Sequence, residues 1–169
     1  NAALDDMAPA KFGWKIVEAY DTDDVISSDR WGETPPFDDN RLLLMRIDDL
    51  DGNPRAAIFS LGTHGTVHDD VYFTGDVLSG MERKLEARLG EEYDRFVPSM
   101  YFNQNGGTMS PRGDRHDHGE LQRYEAIGWE FAEKAYDEFN AIETSRELDL
   151  GGVTHRFSMS YELLGYDPG

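Results

Sequence analysis

Two polar segments hold most of the residues that could do chemistry: Thr63–Asp76 (THGTVHDDVYFTGD) and Asn103–His118, which begins NQNGGTMSPRGD. His64 directly follows an apolar run, a position from which an imidazole can face a cleft and bind a metal or carry a proton. The bland reading is a hydrogen-bonded structural histidine, and the residue alone does not decide between the two. His68 lies four residues on, but Gly65 and the Asp69-Asp70 pair argue against a helix there, so the two are not read as a metal pair. Asp76, after Thr74-Gly75, is placed to cap a following helix. In the second segment, Gly106-Gly107 before Thr108-Met109-Ser110 is a tight turn. Such a turn can expose a serine hydroxyl and aim backbone N–H groups at an anion. Ser110 would need a base or a metal-bound water to become a nucleophile, and the same residues also make an ordinary turn. Met109 and Pro111 flank the serine, so it is not a G-x-S-x-G elbow.

The elements that must carry these loops follow from pattern. Residues 1–40 read as irregular, with Trp14, Tyr20 and Trp31 as anchors. Arg41–Ile47 (RLLLMRI) and Arg55–Leu61 (RAAIFSL) flank an Asp-Gly turn, which predicts a hairpin. Val77, Met81, Leu85 and Leu89 recur at helical spacing from Asp76, with Gly90 as the stop. Phe96–Phe102 reads as an aromatic-rich strand, with Pro98 confining it to an edge or to an irregular start. A second helix over Glu120–Ala141 places Tyr124, Ile127, Phe131, Ala135 and Phe139 on one face. Val153, His155, Phe157, Met159 and Tyr161 alternate with polar residues and predict a half-buried strand. The fold class is therefore α/β, a layered sheet with helices, with polar loops emerging at strand ends.

Composition excludes several function classes. The 169 residues carry 16 basic and 34 acidic side chains, a net charge of −18, which repels nucleic acid and anionic lipid headgroups. With no cysteine there is no disulfide scaffold, zinc knuckle or thiol nucleophile. No apolar run is long enough to span a membrane. Aromatic residues at 12% are more than a disordered chain would hold.

Taken together, the segments FSLGTHGT, TGD opening a helix, and a strand leading into NGGTMSP resemble the N-terminal catalytic domain of neutral/alkaline non-lysosomal ceramidases. That family runs a strand into a His-Pro-Thr or His-Gly-Thr element, then a Ser-Gly-Asp or Ser-Ala-Asp element at a helix start. A further strand enters a Gly-Asp-Val-Ser-Pro loop. The resemblance covers roughly residues 40–165. It implies that His64 binds a catalytic zinc, that Ser110 attacks the amide carbonyl, and that Arg30 matches an active-site arginine of an Asn-Arg element. The implied reaction is hydrolysis of ceramide, a neutral sphingolipid, to fatty acid and sphingosine.

Three positions depart from the family pattern. Thr108 stands where the family has Asp, Met109 replaces a small apolar residue, and Asp29 replaces Asn. Thr108 favours the alternative, a degenerate ceramidase-like domain that binds lipid or protein without catalysis. The family's remaining zinc ligands, an earlier histidine and a later glutamate and tyrosine, are expected outside Asn1–Gly169. One histidine is too few, since three protein ligands are the usual minimum. Residues 1–169 are thus expected to be one domain excerpted from a larger catalytic domain, inactive alone and partnered by the rest of the polypeptide. The acidic charge fits a secreted, periplasmic or cell-surface location.

Overall fold

The computed structural model describes residues 2–32, 38–68, 73–112, 120–156, 160, 162–163 and 165. A short helix α1 (Ala2–Asp5) leads to β1 (Lys11–Val17), β2 (Ser27–Asp29), β3 (Leu42–Asp48) and β4 (Pro54–Leu61). Helix α2 (Asp76–Tyr93) crosses to β5 (Ser99–Asn103), and β6 (Met109–Pro111) precedes α3 (Glu120–Asn140). The main sheet has the order β1-β3-β4-β5, while β2 and β6 pair separately. β1, β3 and β4 are antiparallel neighbours, whereas β5 lies parallel to β4. This is the α/β layering expected. Among the described residues no helix is long and apolar enough to cross a membrane.

The hairpin forms as its turn demands: Gly52 takes φ +94°, and the Asp49 N–H donates to the Asn53 carbonyl at 2.9 Å. Alternation then puts Leu42 and Leu44 of β3, with Ala57, Phe59 and Leu61 of β4, on one buried face. Both helices cover that face. Val77, Met81, Leu85 and Leu89 of α2 meet Ile127, Phe131, Ala135 and Phe139 of α3 in the same core. The rings of Phe59 and Phe131 lie 4.5 Å apart. The helices approach closely at Gly128, where an added Cβ would stand 2.5 Å from the Gly80 carbonyl oxygen. An ion pair also lies under α3, with Arg46 Nε donating to Asp48 Oδ1 at 2.8 Å and Thr144 Oγ1 to Asp48 Oδ2 at 2.8 Å.

Several expectations are corrected. Residues 1–40 are not irregular throughout, because β1 alternates Phe12, Trp14 and Ile16 and pairs along the whole of β3. Of the three expected anchors only Tyr20 is buried, its hydroxyl donating to the Phe131 carbonyl at 2.7 Å. Trp14 and Trp31 are 59% and 67% exposed, Trp14 because it points to the sheet face opposite the helices. α2 runs past Gly90 and stops where Asp94 takes a left-handed φ of 48°. β5 starts only after Pro98, leaving Phe96 exposed, and lies at the edge of the main sheet, one of the two placements Pro98 allowed. Val153–Arg156 forms no strand and is exposed; Phe157, Met159 and Tyr161 fall outside the described residues.

Candidate active site

Because β4 and β5 are parallel, with Leu61 paired to Asn103, the chain leaves both strands at the same edge of the sheet. The two chemistry-bearing loops therefore start side by side, at the carboxyl ends of strands where α/β sheets place ligands. Gly62 has no side chain for a physical reason: a Cβ there would collide with Asn105 of the second loop. Tyr101 seals the junction, its hydroxyl donating to the Leu61 carbonyl at 2.7 Å, and burial pushes its phenol pKa up. It stays a neutral donor.

His64 reaches across to the second loop, with Nδ1 2.7 Å from the Gly106 carbonyl oxygen. A carbonyl only accepts, so this bond assigns the proton to Nδ1 and leaves the lone pair on Nε2. Arg30 Nη1 lies 3.1 Å from Nδ1 and 3.3 Å from Nε2, which brings a guanidinium to the edge of the ring. Arg30 is fixed from behind, its backbone N–H donating to the Thr108 carbonyl at 2.8 Å. Three segments distant in sequence thus meet at one imidazole.

Ser110 sits in β6 opposite Ser28 of β2, and its neighbour Met109 is buried. Alternation turns Ser110 to the face opposite Met109. Ser27 Oγ lies 2.9 Å from the Gly62 carbonyl and 3.2 Å from the Ser110 carbonyl, so one buried hydroxyl ties both loops together. The described hydrogen bonds hold Ser110 through its backbone, and none joins it directly to His64. Thr108 closes the turn: its Oγ1 donates to the Asn105 carbonyl at 3.1 Å, as does its N–H at 3.0 Å. A carboxylate at 108 could not donate that bond. Asp29 is engaged locally, accepting from the Trp31 N–H at 3.0 Å.

Two buried carboxylates, neither given this role by sequence reasoning, shape the approach. Asp21 accepts N–H bonds from Val25 (3.1 Å), Ile26 (3.0 Å) and Ser27 (2.8 Å), with Lys134 Nζ 3.4 Å away. Asp76 was expected to cap α2, yet the N-cap position is Gly75 and carries no side-chain cap bond. Its carboxylate turns to the His64 loop instead, accepting from the N–H groups of Val67 and His68. Ser27 was also missed, because a serine in a three-residue strand carries no periodic signal.

A zinc site needs at least three protein ligands. Among the described residues no three His, Asp or Glu side chains gather to hold a metal ion. His64 offers one nitrogen, and the cation beside it is Arg30. These residues do not make a zinc site by themselves.

No family model matches the chain, and no curated protein does. Solved structures do. A crystal structure of neutral ceramidase from Pseudomonas aeruginosa superposes with a TM-score of 0.61 over 76% of this chain, at 17% identity. A ceramidase complexed with C2 superposes with a TM-score of 0.62 over the same share, also at 17% identity. In both comparisons the chain spans 22% of the length of the matched structure. Over three quarters of its length this chain has the fold seen in part of neutral ceramidase.

Proposed function

We propose that residues 1–169 are part of a ceramidase-like amidohydrolase that cleaves the N-acyl amide of ceramide to fatty acid and sphingosine. The observation that supports this reading is the meeting of Arg30, His64 and the Ser110 loop at the carboxyl ends of β4 and β5, on a ceramidase fold. Hydrolysis breaks the amide C–N bond, passes an oxygen nucleophile to the acyl carbon and returns a proton to the leaving amine. In this reading Ser110 supplies the hydroxyl at the scissile amide. Arg30 presents N–H donors where negative charge develops on the carbonyl oxygen, a role that gains strength out of bulk water. The Gly106 carbonyl keeps the His64 lone pair on Nε2, as backbone carbonyls do for metal-bound histidines. If zinc binds, His64 would contribute one ligand through Nε2, and the remaining ligands would have to come from elsewhere in the full-length protein. A neutral sphingolipid is compatible with a net charge of −18, which fits a secreted or cell-surface enzyme.

The competing reading is a domain that keeps the fold and binds lipid or protein without catalysis. The observation favouring it is Thr108, whose hydroxyl closes the turn where the family pattern has a carboxylate. The test is fatty-acid release from an N-acyl sphingosine by the full-length protein with zinc, beside Ser110→Ala and His64→Ala. The hydrolase reading expects release that falls about a hundredfold or more in both variants. Saturable binding of the lipid without release by the zinc-loaded wild type would establish the binding domain instead.

A further inference from the structure

We propose that Asp76 is a positioning residue for the His64 ring, acting through the backbone of residues 64–68. The proposal rests on the ceramidase-like reading only in taking His64 as a working residue. Asp76 is almost wholly buried, and the described hydrogen bonds of its carboxylate all come from backbone N–H groups. Oδ1 accepts from Val67 at 3.2 Å and from Val77 at 2.5 Å, and Oδ2 accepts from His68 at 2.8 Å. Its own N–H donates to Thr74 Oγ1 at 3.1 Å. One side chain therefore joins the first turn of α2 to the far end of the His64 loop. The Thr66 N–H donates to the His64 carbonyl at 3.1 Å, and a Cβ on Gly65 would lie 3.7 Å from Asp76 Cβ. The stretch from His64 to His68 thus folds over Asp76.

The backbone of Asp76 takes a φ of +53°. Aspartate tolerates this left-handed conformation better than most side chains, and here it accompanies a carboxylate that bonds both the Val77 N–H of its own helix and the loop. A carboxylate that only started the helix would bond the N–H two or three positions on. This one reaches back eight and nine residues. At the other end of the loop, His64 holds the Gly106 carbonyl through Nδ1. The stretch from His64 to His68 is pinned at both ends, and the ring's reach depends on where Val67 and His68 are held.

The test reads the ring directly. The full chain is prepared with 15N-labelled histidine, and the His64 ring signals are identified by their loss in His64→Gln. Long-range 1H–15N spectra of the wild type are expected to show Nδ1 protonated and Nε2 bare. Asp76→Asn and Asp76→Gly both accept a positive φ, so the start of α2 keeps its backbone preference while the acceptors are reduced or removed. Both variants are expected to lose the Nδ1–H signature of His64. In both, the Val67 and His68 amides should exchange about tenfold faster, the loss of one hydrogen bond's protection. An unchanged His64 ring in both variants would overturn the proposal. So would loss of the helical circular dichroism of α2 in both, since that makes Asp76 a folding residue and not a positioning one. The readout does not use ceramide: a changed ring with no amidase activity in the wild type would sink the proposed function and leave Asp76 in its role.

Discussion

Under α2 and α3 the sheet is held by Leu44, Phe59, Leu85, Phe131 and Phe139, whose buried side chains have no polar atom to satisfy. At the carboxyl edge of the same sheet, the loops are held by Asp21, Ser27, Asp76 and Tyr101, each aiming oxygen at backbone groups. Apolar burial is additive and indifferent to direction, so it stabilises the fold without specifying the orientation of any one ring. Hydrogen bonds are directional and contribute little net energy each, but they fix angles. Stability and site geometry are therefore separable in this molecule, and a substitution should move one far more than the other.

The largest effect should come from the core. Phe131→Ala is expected to cost about 3–5 kcal/mol in urea unfolding. The folded fraction should keep the wild-type ring signature of His64. Next, Gly128→Ala pushes a methyl group against the Gly80 carbonyl and should cost about 1–3 kcal/mol by the same measurement. Ser27→Ala sharpens the contrast from the other side. It should lower stability by only about 1 kcal/mol while changing the His64 and Ser110 backbone resonances together, since one hydroxyl serves both loops. If Ser27→Ala instead proved as costly as Phe131→Ala, with the loops unmoved, the separation would be wrong.

The smallest effect tests a loop remote from both regions. Bonds from the Asn53 side chain and backbone N–H hold the Asp49 carboxyl at about 2, below its ordinary 3.8. A depressed folded pKa contributes stability that is present above the unfolded value and lost as pH falls through the folded one. The Tm advantage of the wild type over Asp49→Ala should then be constant from pH 7 to 5 and shrink between pH 4 and 2. A constant advantage down to pH 2 would show that the turn is held by something other than the charge.

Much of this architecture was legible because its signals are local. The four-residue period of Val77, Met81, Leu85 and Leu89 marks a helix wherever it occurs, and Asp51-Gly52 turns a hairpin whatever surrounds it. The stop of α2 was misplaced because Gly90 is tolerated within the helix, while Asp94 takes the left-handed conformation that ends it. β1 was passed over because its alternation leaves Trp14 and Ile16 exposed on an uncovered face, against the expectation that aromatic residues anchor inward. The pairing of β2 with β6 joins residues about eighty positions apart, and nothing in either three-residue strand names its partner.

The types of the candidate residues were set by the sequence alone: an imidazole after one strand, a serine after a double glycine, an arginine upstream, on a chain too acidic to attract polyanions. Whether they meet was decided by the tertiary structure. The parallel register of β4 and β5 puts both loops at one edge, Gly62 lets them touch, and β2 carries Arg30 to the imidazole from a segment that local pattern left without structure. Turning Asp76 from a helix cap into a loop clamp also needed the fold, because its acceptors are met by N–H groups whose positions follow from the path of the loop. Periodicity records which face of an element is apolar; it holds no information on which distant backbone groups a polar side chain will find.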